Sequence, residues 1–188
     1  GRTLERLHKA GKLDGVIAIG GGQGTSVATT AMQSLPIGVP KLMVSTIASG
    51  NTRPFVRSKD IAMMFSIADI MGGLNRVTKV ILANAAGAII GMVEIGAKLE
   101  PGDGKQAIGM TAMGTTTPAA MVARDAFERL GYETILFHAT GTCGVAMEEL
   151  IEYGVFAGIF DLSTHELLGE IVSEDLYAPV RPGRLETA

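Results

Sequence analysis

Cysteine is almost missing from this chain: Cys143 stands alone, so no intrachain disulfide can form, and no cysteine cluster suggests a zinc site. Tryptophan is absent and aromatic residues are 5% of the total, so the core has to be built from Ala, Val, Ile, Leu and Met. Such a core suits helices packed closely on a parallel sheet. There is no basic block and no aromatic interleaving, and the formal net charge is −3, which argues against direct nucleic-acid binding. With 47% hydrophobic and only 19% charged residues, the chain has ample material for a core, and disorder is not expected. No signal peptide is visible, and a cytoplasmic location is expected. The closest approach to a membrane span, VILANAAGAIIGMVEIGA at residues 80–97, is interrupted by Asn84 and Glu94. It reads as a helix buried on several sides and not as a span, which needs about 20 predominantly apolar residues. Ala83, Gly87 and Gly91 recur every four residues along it, placing three small residues on one face where another backbone can approach closely.

Short apolar runs alternate with helix-like segments along the rest of the chain. DGVIAIG, KLMVSTIA, AIGMTAMG, ETILFHATG and VFAGIFDLS read as strands. Helices are expected over residues 2–10, stopped by Gly11, over Ser26–Leu35, through most of 61–97, and at TTTPAAMVARDAFERLGY, TCGVAMEELIEYG, ended by Gly154, and THELLGEIV. Thr117 and Pro118 have N-cap and first-turn chemistry, and Ser163 and Glu166 have the spacing of a capping box. KLEPGDGKQ, residues 98–106, is polar and rich in turn residues and divides the chain into segments 1–97 and 107–188. The expected fold is α/β, with two doubly wound, Rossmann-like subdomains on parallel sheets.

Parallel strands send their following turns to one edge, where such folds bind ligands. Four turns there are unusually rich in glycine and hydroxyls. The first, AIGGGQGTS, carries Gly20, Gly21, Gly22, Gly24, Thr25 and Ser26; the second carries Thr46, Ser49, Gly50 and Asn51. The third carries Gly114, Thr115 and Thr116, and the fourth Thr140, Gly141 and Thr142. Free N–H groups at a helix start, with the positive end of its dipole, hold phosphate without needing a lysine. No P-loop lysine follows Gly24, and the dinucleotide fingerprint fails because position 25 is Thr. The turns therefore read as a binding cleft for a phosphate or carboxylate group, held without either motif. Arg53, Arg57 and Lys59 form a basic loop beside these turns. Acid–base candidates are few: Asp161, His138 and His165 sit at strand or helix ends and support an alternative reading, an enzyme acting on a small phosphorylated or carboxylated metabolite. Cys143, at a helix start, reads as a packed thiol.

The runs GVIAIGGGQGTSVATTAM, PKLMVSTIASGNTRPF, NAAGAIIGMV and MGTTTPAAMVARDAFERLGYETILFHATGTCGVAMEELI, in that order, resemble the family of the plant protein that confers tomato mosaic virus resistance by inhibiting viral RNA replication. The resemblance extends over nearly the whole chain. It implies two doubly wound subdomains, a capacity to bind ATP and self-association into a homo-oligomer, here expected to be a homodimer. A viral replication protein is implied as a partner in the plant lineage only. Against that pattern, opening strands are expected before Gly1 and a continuation of the second subdomain after residue 188, so both subdomains are expected to be truncated.

Overall fold

The computed structural model describes residues 1–97, 99, 104–172 and 182–187. It divides into two compact units, Gly1–Leu99 and Glu100–Ala188. Of the 98–106 linker, residues 98 and 100–103 lie outside the described set.

The first unit runs α1 (Arg2–Lys9), β1 (Val16–Gly20), α2 (Gly22–Met32), β2 (Lys41–Ser45), α3 (Arg53–Val56), β3 (Ala62–Phe65) and α4 (Arg76–Ile95). Its sheet is parallel in the order β1-β2-β3. Every residue of β2 is buried, because both faces of this central strand are covered. On one face Met43 packs with Met32 of α2 and Ile61; on the other Leu42 and Val44 pack with Ala85 of α4. That two-sided cover is the doubly wound plan.

Three expectations change here. Residues 62–65 form a strand, where a helix was expected through most of 61–97. AMMF is apolar throughout, and a run that short carries no period by which to tell strand from helix. Helix α2 begins at Gly22, four residues before Ser26. Helix α4 is buried along one face only: Thr78 and Ala85 are its buried residues, and Ile81, Leu82 and Ile89 pack partly against the sheet. Ala83 and Gly87 are exposed, and an added Cβ at Gly87 or Gly91 would meet nothing within 4 Å. By length and composition alone, α4 is the one helix among the described residues suited to crossing a membrane. Its start is fixed by Asn75, whose side chain accepts from the N–H groups of Val77 and Thr78 while Thr78 Oγ1 accepts from the Asn75 N–H. Gly96 in the left-handed region ends it.

The second unit runs β4 (Ala107–Ala112), a 3-10 turn (Gly114–Thr116), α5 (Thr117–Arg129), β5 (Glu133–His138), α6 (Cys143–Glu152), β6 (Phe156–Asp161) and α7 (His165–Ile171). Its parallel sheet has the order β5-β4-β6. Ile108 and Met110 of the central strand pack against Ala120 and Phe127 of α5. On the opposite face Gly109 lets Ile159 of β6 approach so closely that a Cβ would collide with it, and the same Cβ would crowd Met147 of α6. Thr116 takes the N-cap position of α5, one residue earlier than Thr117. The Ser163–Glu166 capping box does not form: Thr164 is the N-cap of α7, and no side chain caps it.

Candidate functional site

In the first unit, Gly20 closes β1 and Gly21 is the extended N-cap of α2. Having no side chain, Gly21 leaves the helix end uncapped, with Gly22, Gln23 and Gly24 forming an exposed first turn. The first N–H groups of a helix have no partner inside it. None of the four glycines has a positive φ. Only Gly20 is required by packing, since its Cβ would strike the backbone of Gly24; at Gly22 an added Cβ would meet open space. Three glycines are thus demanded neither by backbone conformation nor by neighbours, and their effect is to keep N–H groups accessible. Thr46 stands beside this turn, its Oγ1 within 3.6 Å of where a Gly21 Cβ would be.

Thr25 is placed differently. It is fully buried, and its Oγ1 pairs with Ser45 Oγ at 2.6 Å, tying α2 to the end of β2. Its hydroxyl is committed to the protein. Ser26 stays exposed, as do Ser49, Gly50 and Asn51, and Asn51 Oδ1 accepts from the Arg53 N–H at 3.1 Å.

In the second unit, Gly114 and Thr115 are exposed, whereas Thr116 is tied down: its Oγ1 accepts from the Met113 N–H at 2.9 Å and pairs with Ser163 Oγ at 2.6 Å. Gly141, with φ of 86°, makes the turn into α6, and Thr142 is the N-cap of that helix without a side-chain cap bond. Thr140 Oγ1 donates to the His138 carbonyl at 3.4 Å.

Asp161 and His138 do not come together. Their strands lie on either side of β4, and Asp161 is in register with Thr111 while His138 is in register with Ala112. Successive residues of β4 point to opposite faces, so the two side chains leave the sheet on opposite sides. Both Asp161 oxygens are engaged, Oδ1 accepting from Thr111 Oγ1 and Oδ2 from Arg184 Nη2 at 2.7 Å. His138 is exposed at the end of β5; His165 opens α7 and is half-buried.

Sequence reasoning missed two buried cations. The fully buried Lys41 side chain, at the opposite end of β2 from the glycine turn, donates to the carbonyls of Pro36 and Val39 at 2.8 and 2.7 Å and pairs with Asp60 at 2.7 Å. Burial pushes its pKa down, and Asp60 partly restores it. Arg184 is buried among Glu148, Asp161 and Glu166. Burial also pushes the Glu166 carboxyl up, against the pull of Arg184. A lone arginine in an irregular tail carries no sequence signal of this kind.

Two family models match the chain, both described as belonging to an uncharacterised protein family, UPF0261: its N-terminal domain over residues 1–98 and its C-terminal domain over 105–188. A UPF0261 protein of Clostridium tetani is 46% identical over 185 residues, covering 98% of this chain and 45% of that protein. From Solanum lycopersicum, the ToMV susceptible protein tm-1(GCR26) is 40% identical over 90% of this chain and 23% of its own length. The ToMV resistance protein Tm-1(GCR237) is 42% identical over 85% of this chain and 22% of its own length. The chain spans less than half the length of these curated relatives.

Proposed function

The chain belongs to UPF0261, an uncharacterised protein family, and on that premise we propose that it binds a nucleotide, ATP with or without Mg, with the phosphates on the N-terminus of α2. The observation that carries this reading is the exposed, uncapped first turn at Gly21–Gly24, where glycine is required by neither φ nor packing beyond Gly20. Backbone N–H groups and the helix dipole supply the anion chemistry there. Thr46 and the exposed Ser26 are the hydroxyls within reach of the same turn. The expected affinity is modest, because no lysine follows the turn to neutralise the phosphates. Calorimetric titration of the chain, and of a full-length family member, with ATP in the presence and absence of magnesium tests this. Measurable heat that a Gly22→Val substitution abolishes is expected. No heat and no thermal shift at millimolar ATP would overturn the reading.

In this reading the bound nucleotide organises self-association into a homodimer in the cytoplasm. Support comes from the outer face of α4, where Ala83 and Gly87 are exposed and Val80 and Ile90 keep 59% and 53% of their surface in solvent. Large apolar exposure along one helix marks an interaction surface, and small residues allow close helix approach. Sedimentation of Gly87→Leu is expected to show a weakened dimer; an unchanged profile would contradict this part. A viral replication protein is a proposed partner for the plant relatives alone.

A further inference from the structure

The second unit encloses a socket for one guanidinium. Arg184 Nη1 donates to Glu148 Oε1 of α6 at 2.6 Å, Nη2 donates to Asp161 Oδ2 at 2.7 Å, and Nε lies 3.7 Å from Glu166 Oε2 of α7. The Arg184 and Glu166 side chains are wholly inaccessible, and Glu148 nearly so. Space for the group comes from Gly144: a Cβ there would collide with Arg184 Nε and Glu166 Oε1. The backbone is bent to make the insertion, with Gly183 at φ 83° and Leu185, which is not glycine, at φ 73°. Such a leucine persists only where surrounding contacts over-determine it. One of those contacts is the Leu185 N–H, which donates to Glu148 Oε1 at 2.6 Å.

The geometry points to Arg184 as a positioning residue for the Gly114–Thr116 turn at the ligand edge of the second sheet, acting through a relay of hydrogen bonds. Asp161 passes on the constraint. Held by Arg184 through Oδ2, it accepts from Thr111 Oγ1 through Oδ1. The single Thr111 hydroxyl proton is thereby spent, so its lone pairs face the Ser163 N–H, which donates to Thr111 Oγ1 at 3.0 Å. Ser163 Oγ then meets Thr116 Oγ1, and Thr116 Oγ1 accepts from the Met113 N–H. Every link has a fixed polarity except the Ser163–Thr116 pair. Without the guanidinium, Asp161 would be a partly buried carboxylate facing Glu148 and Glu166, unpaired by any cation of the socket. Repelled by those two carboxylates it would swing away, and that movement frees Thr111 to rotate. The tail segment 182–187 thus acts on the shape of that turn through Asp161, Thr111 and Ser163.

Amide hydrogen exchange tests this without any ligand, so its outcome is separate from that of the nucleotide reading. Arg184→Lys keeps the charge but cannot fork between Glu148 and Asp161. Exchange at the Ser163 and Met113 amides should accelerate about tenfold or more, the loss of a charge-assisted bond read as local opening. The Thr25 amide, in the other unit, should not change. Thr111→Val should accelerate the same two amides while leaving the Leu185 amide protected. In Arg184→Ala, added guanidinium should restore protection at Met113, whereas equal sodium should not. Parent-like protection of Met113 in Arg184→Lys would overturn the relay. So would uniform acceleration or unfolding of the whole second unit in that variant, or a failure of guanidinium to rescue the alanine variant.

Discussion

Replacing Gly22 with aspartate should move stability and ligand binding in opposite directions. Gly22 is the first residue of α2, exposed, free of positive φ and open to an added side chain. Exchanging a helical glycine for aspartate, itself a weak helix former, gains only about 0.3 kcal/mol from backbone propensity. A carboxylate in the first turn gains a further 0.3–1 kcal/mol or so from the helix dipole. The variant is therefore expected to be more stable by about 1 kcal/mol, a rise of several degrees in melting temperature for a unit of this size. A phosphate seated on the same turn would meet that carboxylate at about 5 Å. At an effective dielectric constant of about 20, each pair of unit charges then costs about 3 kcal/mol, or more than 100-fold in affinity. Gly22→Asn adds nearly the same volume without the charge, so the difference in affinity between the two variants isolates the electrostatic part of the loss. Thermal denaturation and calorimetric ATP titration read both quantities on one preparation. An aspartate variant that melts higher and still binds ATP as the parent does would refute placement of the phosphates at α2.

Thr25→Val removes the 2.6 Å bond to Ser45 while keeping side-chain shape. It should cost about 1–2 kcal/mol in thermal or urea unfolding and leave ATP affinity unchanged, and a loss of affinity at unchanged stability would show that the hydroxyl faces ligand. Lys41→Met leaves the carbonyls of Pro36 and Val39 without their donor and should destabilise the first unit by about 1–3 kcal/mol; a neutral result in urea unfolding would mean that the buried ammonium contributes no net stability. For Glu166, whose carboxyl is held above its usual pKa by burial, the folded state keeps its proton at pH values where the unfolded state has lost it. Stability should fall as pH rises from the ordinary carboxylate range through the raised value, and level off above it. Glu166→Gln should remove that slope and be at least as stable as the parent at neutral pH; a less stable glutamine variant would make the Glu166–Arg184 pair net favourable.

Much of the architecture was readable because its signals are local. GVIAIG and KLMVS are short apolar runs closed by turn residues, and Gly11 and Gly154 follow helices with the positive φ that only glycine adopts freely. What was not readable depends on partners distant in sequence. AMMF is a strand because Met43 and Val44 of β2 supply its neighbours in register. The exposure of α4 follows from the single sheet face it covers, which a run of apolar residues does not reveal. Ser163 and Glu166 have the spacing of a capping box, but Thr111 and Thr116 take Ser163, and Glu166 is buried beside Arg184. At the candidate site the glycine turn was located from sequence. The inward rotation of Thr25 onto Ser45, and the departure of His138 and Asp161 to opposite sheet faces, required strand register to see.

The central claim is that nucleotide phosphates contact the backbone of the α2 N-terminus, and amide chemical shifts during ATP titration test it most directly. With magnesium present, the largest saturable shifts are predicted at Gly22, Gln23 and Gly24, with Thr46 following and the amides of α4 unaffected in the monomer. Shifts confined to Gly114–Thr116 or Gly141–Gly144, or no saturable shift in either unit, would contradict it.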